Sequence, residues 1–306
     1  MRRKRFARDG FALLAVLWML GGGAVLGALL VVSTREAQRV AVNRVDLARA
    51  RWLAEGCVER TRAAVDETVG ELAIDDSAWA HLDRIVRTSP LTRGCDVSAV
   101  PTGTTLDVNR ADDATLRRCF AAAGLTSEAA DSLASAILDW RDPDDDSRVS
   151  GAEHRWYDAA NRVPPRNADV ASTEELSAIR GLEDRQDIAH MLGVERDRIL
   201  LSHAPLPVLA TLPGMAPAAL VEIDRRRSLG DSIVDLLRLA ASVDSTGRAD
   251  LLRNLSALNE LTTALPDAWL LVGRAASGAR PVSARLELRV VRSGRRLAIL
   301  RRRSDS

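Results

Sequence analysis

Residues 11–32, FALLAVLWMLGGGAVLGALLVV, are 22 consecutive uncharged residues. A helix of that length rises roughly 33 Å, enough to cross a bilayer core of about 30 Å. Few structures other than a spanning helix suit such a run, because backbone polar groups left unpaired in lipid are costly. The preceding stretch, MRRKRFARDG, carries five Arg or Lys against one Asp. Basic flanks stay cytoplasmic, so the chain after residue 33 is expected on the far side of the membrane. A cleaved secretory signal has a shorter apolar core of about 7–15 residues.

Ala37, Ala41, Val45, Ala48 and Trp52 then recur at steps of four and three between charged residues. The spacing predicts an apolar stripe on one helix running on to about residue 69. Residues 88–106 are broken by Pro and Gly and read as loop with short strand. Helical patterns follow to about residue 264. ELSAIRGL (175–182) and VLATLPGM (208–215) echo one another, with TLRRCFAAAGL (115–125) as a looser relative. Each is expected to end at a Gly of positive φ. Ser172 with Glu175 fits a capping box, and Pro217 a first helical turn. The tail changes period. WLLVGRAA (269–276), SARLELRVV (283–291) and RRLAILRRR (295–303) read as strands, with Leu286, Leu288 and Val290 alternating with charged residues.

Several functions are disfavoured by composition and motif. The net charge of +1 implies no global attraction to nucleic acid. No G-x-S-x-G, H-E-x-x-H or phosphate loop is present, so no enzyme is expected. Cys57, Cys95 and Cys119 are too few for a disulfide scaffold and too widely spaced for a zinc site. In an oxidising compartment one pair can form a disulfide, and spacing leaves all three pairings open.

Gly10-Phe11 stands immediately before the apolar helix. Together with GFALLAVLWML, ARARWLAEG, LDVNRADDATL, ILDWRDPDDD, GAEHRWY and RLELRVVRSGRRLAIL, in that order, it resembles the K-type minor pseudopilins of the bacterial type II secretion system. That resemblance implies an α+β fold: a long transmembrane and amphipathic helix packed on a small antiparallel sheet, with a large all-α insertion. It divides the chain into a prepilin leader (1–10), a transmembrane helix (11–32), a pilin-like unit (33–105 and 265–306) and an inserted helical domain (106–264). It also implies cleavage by prepilin peptidase between Gly10 and Phe11, N-methylation, an inner-membrane anchor and a periplasmic head. The implied role is to cap the pseudopilus tip and initiate assembly with I-type and J-type minor pseudopilins and other pseudopilins.

Most pilin-like chains carry Glu at the fifth mature position; here it is Ala15. A carboxylate in the bilayer needs a partner, taken to be the ammonium of a neighbouring subunit. A tip subunit has no neighbour above to neutralise, and lacking this Glu is a K-type trait. Gly23 and Gly27 form a G-x-x-x-G that permits close helix packing.

DPDDDSRVSGAE, residues 142–153, holds five carboxylates in twelve residues. Asp142, Asp144, Asp146, Ser150 and Glu153 fall at positions 1, 3, 5, 9 and 12 of an EF-hand-like loop, with Asp139 and Asp145 as substitutes. Hard carboxylate oxygens suit calcium, which the resemblance also implies. Position 6 is Ser147 rather than Gly, so the loop is expected to be strained or to take another path. His154 follows the loop directly.

The alternative function is a signal-anchored periplasmic protein whose helix-hairpin-helix-like units bind DNA or another partner. ATLPGMAPAALVEIDRRR carries that likeness, with Arg225, Arg226 and Arg227 as its basic spot. Against it, Ala216 replaces the second hairpin Gly, and residues 101–200 hold 20 acidic against 12 basic groups. No nucleic acid is expected as a partner.

Overall fold

The computed structural model describes residues 9–71, 79, 81–88, 95–230 and 235–305. Helix α1 runs unbroken over Asp9–Glu71. Its length follows from a sequence free of proline until Pro90 and rich in Ala, Leu, Arg and Glu. The face that meets the sheet is Ala50, Ala54, Cys57, Val58, Thr61 and Val65. This is not the stripe the periodicity singled out: Ala37, Ala41, Val45, Ala48 and Trp52 are all exposed. Small residues decide the choice. A Cβ on Gly273 would collide with Val58, so α1 lies directly on the strand beneath it.

A four-stranded antiparallel sheet has the order β1-β6-β7-β8, with β1 at Asp96–Pro101, β6 at Ala268–Ser277, β7 at Val282–Ser293 and β8 at Arg296–Asp305. The helix α2, Leu82–Thr88, packs beside β1, where Asp83 accepts the Ala99 amide at 3.2 Å. Ala284, Leu286, Leu288 and Val290 alternate inward along β7, as the sequence pattern predicts. At the edge, the Asp66 carboxylate accepts the Leu297 amide at 2.7 Å, tying β8 to α1. Trp79, Leu82, Trp269, Leu271 and Leu286 join α1 residues in this core.

Residues 106–258 build a second core. Among the elements there are α3 at Asp113–Ala122, α4 at Ser127–Arg141, α5 at His154–Ala159, α6 at Gln186–Ala189, α7 at Leu206–Leu209, α8 at Pro217–Ser228, α9 at Leu236–Ser242, α10 at Ser245–Arg253 and α11 at Leu255–Leu261. Two parallel ladders of two residues each add strand to this mainly helical unit. One pairs β2 (Leu106–Asp107) with β3 (Leu192–Gly193), the other β4 (Ile199–Leu200) with β5 (Thr262–Thr263). Each ties one end of the insertion to its middle, a long-range pairing that no local periodicity announces. Gly124, Gly181 and Gly214 all have positive φ, as expected, but only Gly124 directly follows a helix end; Gly181 and Gly214 lie in turns two and four residues past the caps Ile179 and Ala210. Pro217 opens α8. The capping box is not formed. Thr173–Ala178 is a 3-10 turn and Ser172 makes no side-chain cap. Glu175 instead accepts the Trp140 indole at 2.8 Å and the Ala171 amide at 2.9 Å.

Candidate functional site

The acidic loop joins α4 to α5. Thr126 caps the start of α4 through the Ala129 amide, and Asp142 ends the helix with its amide bonded to the Leu138 carbonyl. Arg141 donates to the Val108 and Ala111 carbonyls and fixes the exit. On the far side, Tyr157 and Trp140 are buried edge to face, and the Arg180 amide donates to the Tyr157 hydroxyl at 2.9 Å. The GAEHRWY stretch therefore seats α5 on α4, and Glu153 at its N-cap is carried inward to 3% exposure.

Inside the loop, Arg148 bridges Asp139 and Asp142 with its guanidinium, at 2.5 Å to each. Asp139 is fully buried and also accepts the Arg148 amide at 3.2 Å. Gly151 must lack a side chain because a Cβ would strike the Asp139 carboxylate. Ser132 donates to the Ser150 carbonyl at 3.1 Å and Arg180 to the Gly151 carbonyl at 2.8 Å. Asp144 accepts the Asp146 amide at 3.0 Å, closing a local turn, while the Asp146 side chain is exposed. Ser147 does not have positive φ. Without the left-handed turn that Gly gives at position 6, the loop leaves the EF-hand path, and the Arg148 carbonyl accepts the Gly151 amide in a turn of its own.

Asp145 accepts the Asn167 side-chain amide at 2.9 Å and lies 2.9 Å from His154 Nδ1. Asp145, Glu153 and His154 each place one ligand atom within 4.8 Å of the others. Asn167 reaches across from another loop with φ 51°, also donating to the Asp144 carbonyl at 2.9 Å. Sequence reasoning missed Asn167, which no loop spacing could flag. It missed the Arg148 side chain too, because position 7 of such a loop contributes only its backbone carbonyl.

Asp142 Oδ1, both Glu153 oxygens and Asn167 Oδ1 are buried without a hydrogen-bond donor. All are acceptors, and unpaired buried acceptors are expensive. Burial, then the nearby charges of Asp139, Asp142 and Asp145, push the Glu153 carboxyl up to about 7. An acidic cluster with surplus hard oxygens fits a cation, and its donor set fits calcium better than a soft metal.

Gly10 and Phe11 fall in the first turns of α1, and residues 1–8 of the leader lie outside the described residues. Ala15 is partly exposed, and no atom lies within 4 Å of a Cβ placed on Gly23 or Gly27. Cys57 and Cys95 form a disulfide that pins β1 to α1, and Cys119 is the free buried thiol, pushed up to about 12 by burial. Arg225 and Arg226 both pair with Glu222 at 2.8 Å, while Arg227 donates to the Leu201 carbonyl at 2.5 Å. The basic spot is thus engaged internally.

Residues 96–190 match the family model for the type II secretion system (T2SS), protein K. No curated protein matches the chain in sequence. The fold is similar to that in the crystal structure of the GspK-GspI-GspJ complex from the enterotoxigenic Escherichia coli type 2 secretion system. The TM-score is 0.56 at 15% identity, covering 89% of this chain and 99% of that one. Among the described residues, one long apolar helix near the N-terminus fits a single-pass membrane anchor. Over residues 96–190 the chain is thus similar to protein K of the type II secretion system, and as a whole its fold is similar to that of the GspK-GspI-GspJ complex.

Proposed function

We propose that this chain caps the tip of a periplasmic pseudopilus and initiates its assembly, joined to I-type and J-type minor pseudopilins. The observation that carries the reading is the uncovered stripe Ala37, Ala41, Val45, Ala48 and Trp52, continuous with the exposed apolar face of residues 14–32. Trp52 is 72% exposed on a helix whose other face already has its core. A large apolar side chain held outward on a rigid helix suits burial against another helix. The absence of Glu at Ala15 and the bulky insertion agree with a terminal position. The role is assembly rather than catalysis.

The test is co-purification from cells that hold all three minor pseudopilins. Wild-type chain is expected to bring down the I-type and J-type subunits, and Trp52→Asp to lose them while remaining folded. Undiminished recovery with Trp52→Asp would remove the helix face from the assembly. Mass spectrometry of the mature chain is expected to find N-methylated Phe11.

Calcium is the proposed structural ion. Asp142 and Glu153 would supply carboxylate oxygens, with Asn167 and Asp145 beside them, and the ion would neutralise a crowded acidic loop. Asp144, Asp146 and Ser150 come into reach only if the loop rearranges around it. Calcium is expected to raise the melting temperature of the full chain and EDTA to lower it; equal melting curves would refute calcium binding.

A further inference from the structure

Where α1 leaves the bilayer, a groove of about 640 Å³ opens between the helix and the turn joining β6 to β7. Arg35, Arg39 and Val42 line it from the helix, Arg280 and Pro281 from the turn, and Val282 from the start of β7. The turn is seated hard on the helix, since a Cβ on Gly278 would overlap the Asp46 carboxylate. The groove is therefore a built feature rather than a gap between loose parts.

We propose that this groove holds the headgroup of an anionic phospholipid from the leaflet that α1 exits. The inference rests on reading residues 11–32 as the membrane anchor. The apolar run ends at Val32, so Arg35 sits roughly 4.5 Å beyond it and Arg39 roughly 10 Å beyond, at 1.5 Å per residue. The headgroup layer is about 5–7 Å deep on each side, so Arg35 lies within it and Arg39 just above. Among the described residues, Arg35, Arg39 and Arg280 have no carboxylate or carbonyl partner. Asp46, the acid lining the groove, is at its far end, buried under the turn and 3.7 Å from Arg49. Three uncompensated guanidiniums line this one groove at the leaflet surface, and a guanidinium matches phosphate oxygens with two parallel donors.

The full-length chain is reconstituted in vesicles with equal phosphatidylglycerol and phosphatidylcholine. It is then extracted mildly, and the co-purifying lipid is measured by mass spectrometry. Each basic residue near an anionic surface contributes about a fivefold preference, so the three together are expected to enrich phosphatidylglycerol by up to about 100-fold. Arg35→Gln/Arg39→Gln/Arg280→Gln is expected to abolish the enrichment, and Arg280→Gln alone, outside the anchor helix, to reduce it about fivefold. Replacing Arg84 and Arg155, which lie away from the groove, is expected to leave it intact. Equal recovery of both lipids by the wild-type chain, or enrichment that survives the triple substitution, would overturn the proposal. Flotation with pure phosphatidylcholine vesicles reports the anchor separately. A chain that floats without lipid preference defeats the groove alone, and a chain that does not float defeats the anchor reading.

Discussion

Glu153 shows how a single residue can be set against its surroundings for a purpose. Its two oxygens are buried without donors beside Asp139, Asp142 and Asp145. Glu153→Gln keeps the shape and removes the charge. In EDTA its melting temperature is expected to equal or exceed that of wild type, while the rise on adding calcium shrinks. An unchanged calcium response would exclude Glu153 as a ligand. Glu222 is the opposite case. The hydrogen bonds from Arg225 and Arg226 hold its carboxyl down to about 2. A depressed acid stabilises the fold above its unfolded value of about 4.5, and that contribution fades as pH falls towards 2. Since the arginines are partly in water, Glu222→Gln is expected to cost about 1 kcal/mol at pH 7 and nothing near pH 2, as read from denaturant midpoints.

At the scale of elements, α1 divides its circumference between the sheet and whatever lies outside the chain. Periodicity located the helix and one apolar stripe on it but not the face that meets the sheet, because Val45 and Trp52 outweigh Ala50 and Ala54 in any hydrophobic count. Close approach to Gly273 rewards small residues, and only the packed strand reveals that preference. The Cys57–Cys95 bond closes a loop of 38 residues between α1 and β1. In the chain-entropy treatment its loss costs roughly 3–4 kcal/mol. Cys57→Ala in the full-length chain is therefore expected to lower the unfolding free energy by that amount, read from the denaturant midpoint and slope, whereas Cys119→Ala, which touches no disulfide, removes only a small buried thiol.

The whole molecule is held together by charge as well as by two cores. Arg289 on β7 pairs with Glu195 and Asp197 of the insertion, Arg301 with Glu195, Arg303 with Glu174, and Arg302 with Glu55 of α1. The Arg289 side chain is only 13% exposed, so removing it leaves two carboxylates partly buried without their partner. Breaking such a pair costs about 3–5 kcal/mol. Arg289→Ala is expected to raise hydrogen exchange in residues 192–200 while the core of α4 stays protected. Arg301→Ala, half exposed, is expected to change stability by under about 1 kcal/mol. Equal effects of the two would mean that burial does not govern this joint.

The sequence by itself determined the long apolar helix, the tail strands, the positive-φ glycines and the acidic loop, because each is written in local periodicity, chirality or charge spacing. Ser147 in place of Gly raised the question of whether the loop turns as an EF-hand does, and the fold answered it. Only the tertiary structure decided which face of α1 meets the sheet, which cysteines pair, how β2 and β4 clasp the insertion, and that Asn167 and Arg148 enter the loop. These depend on residues brought together from distant parts of the chain. Steric fit and the pairing of buried polar groups settle them, and neither is expressed in the spacing along one segment.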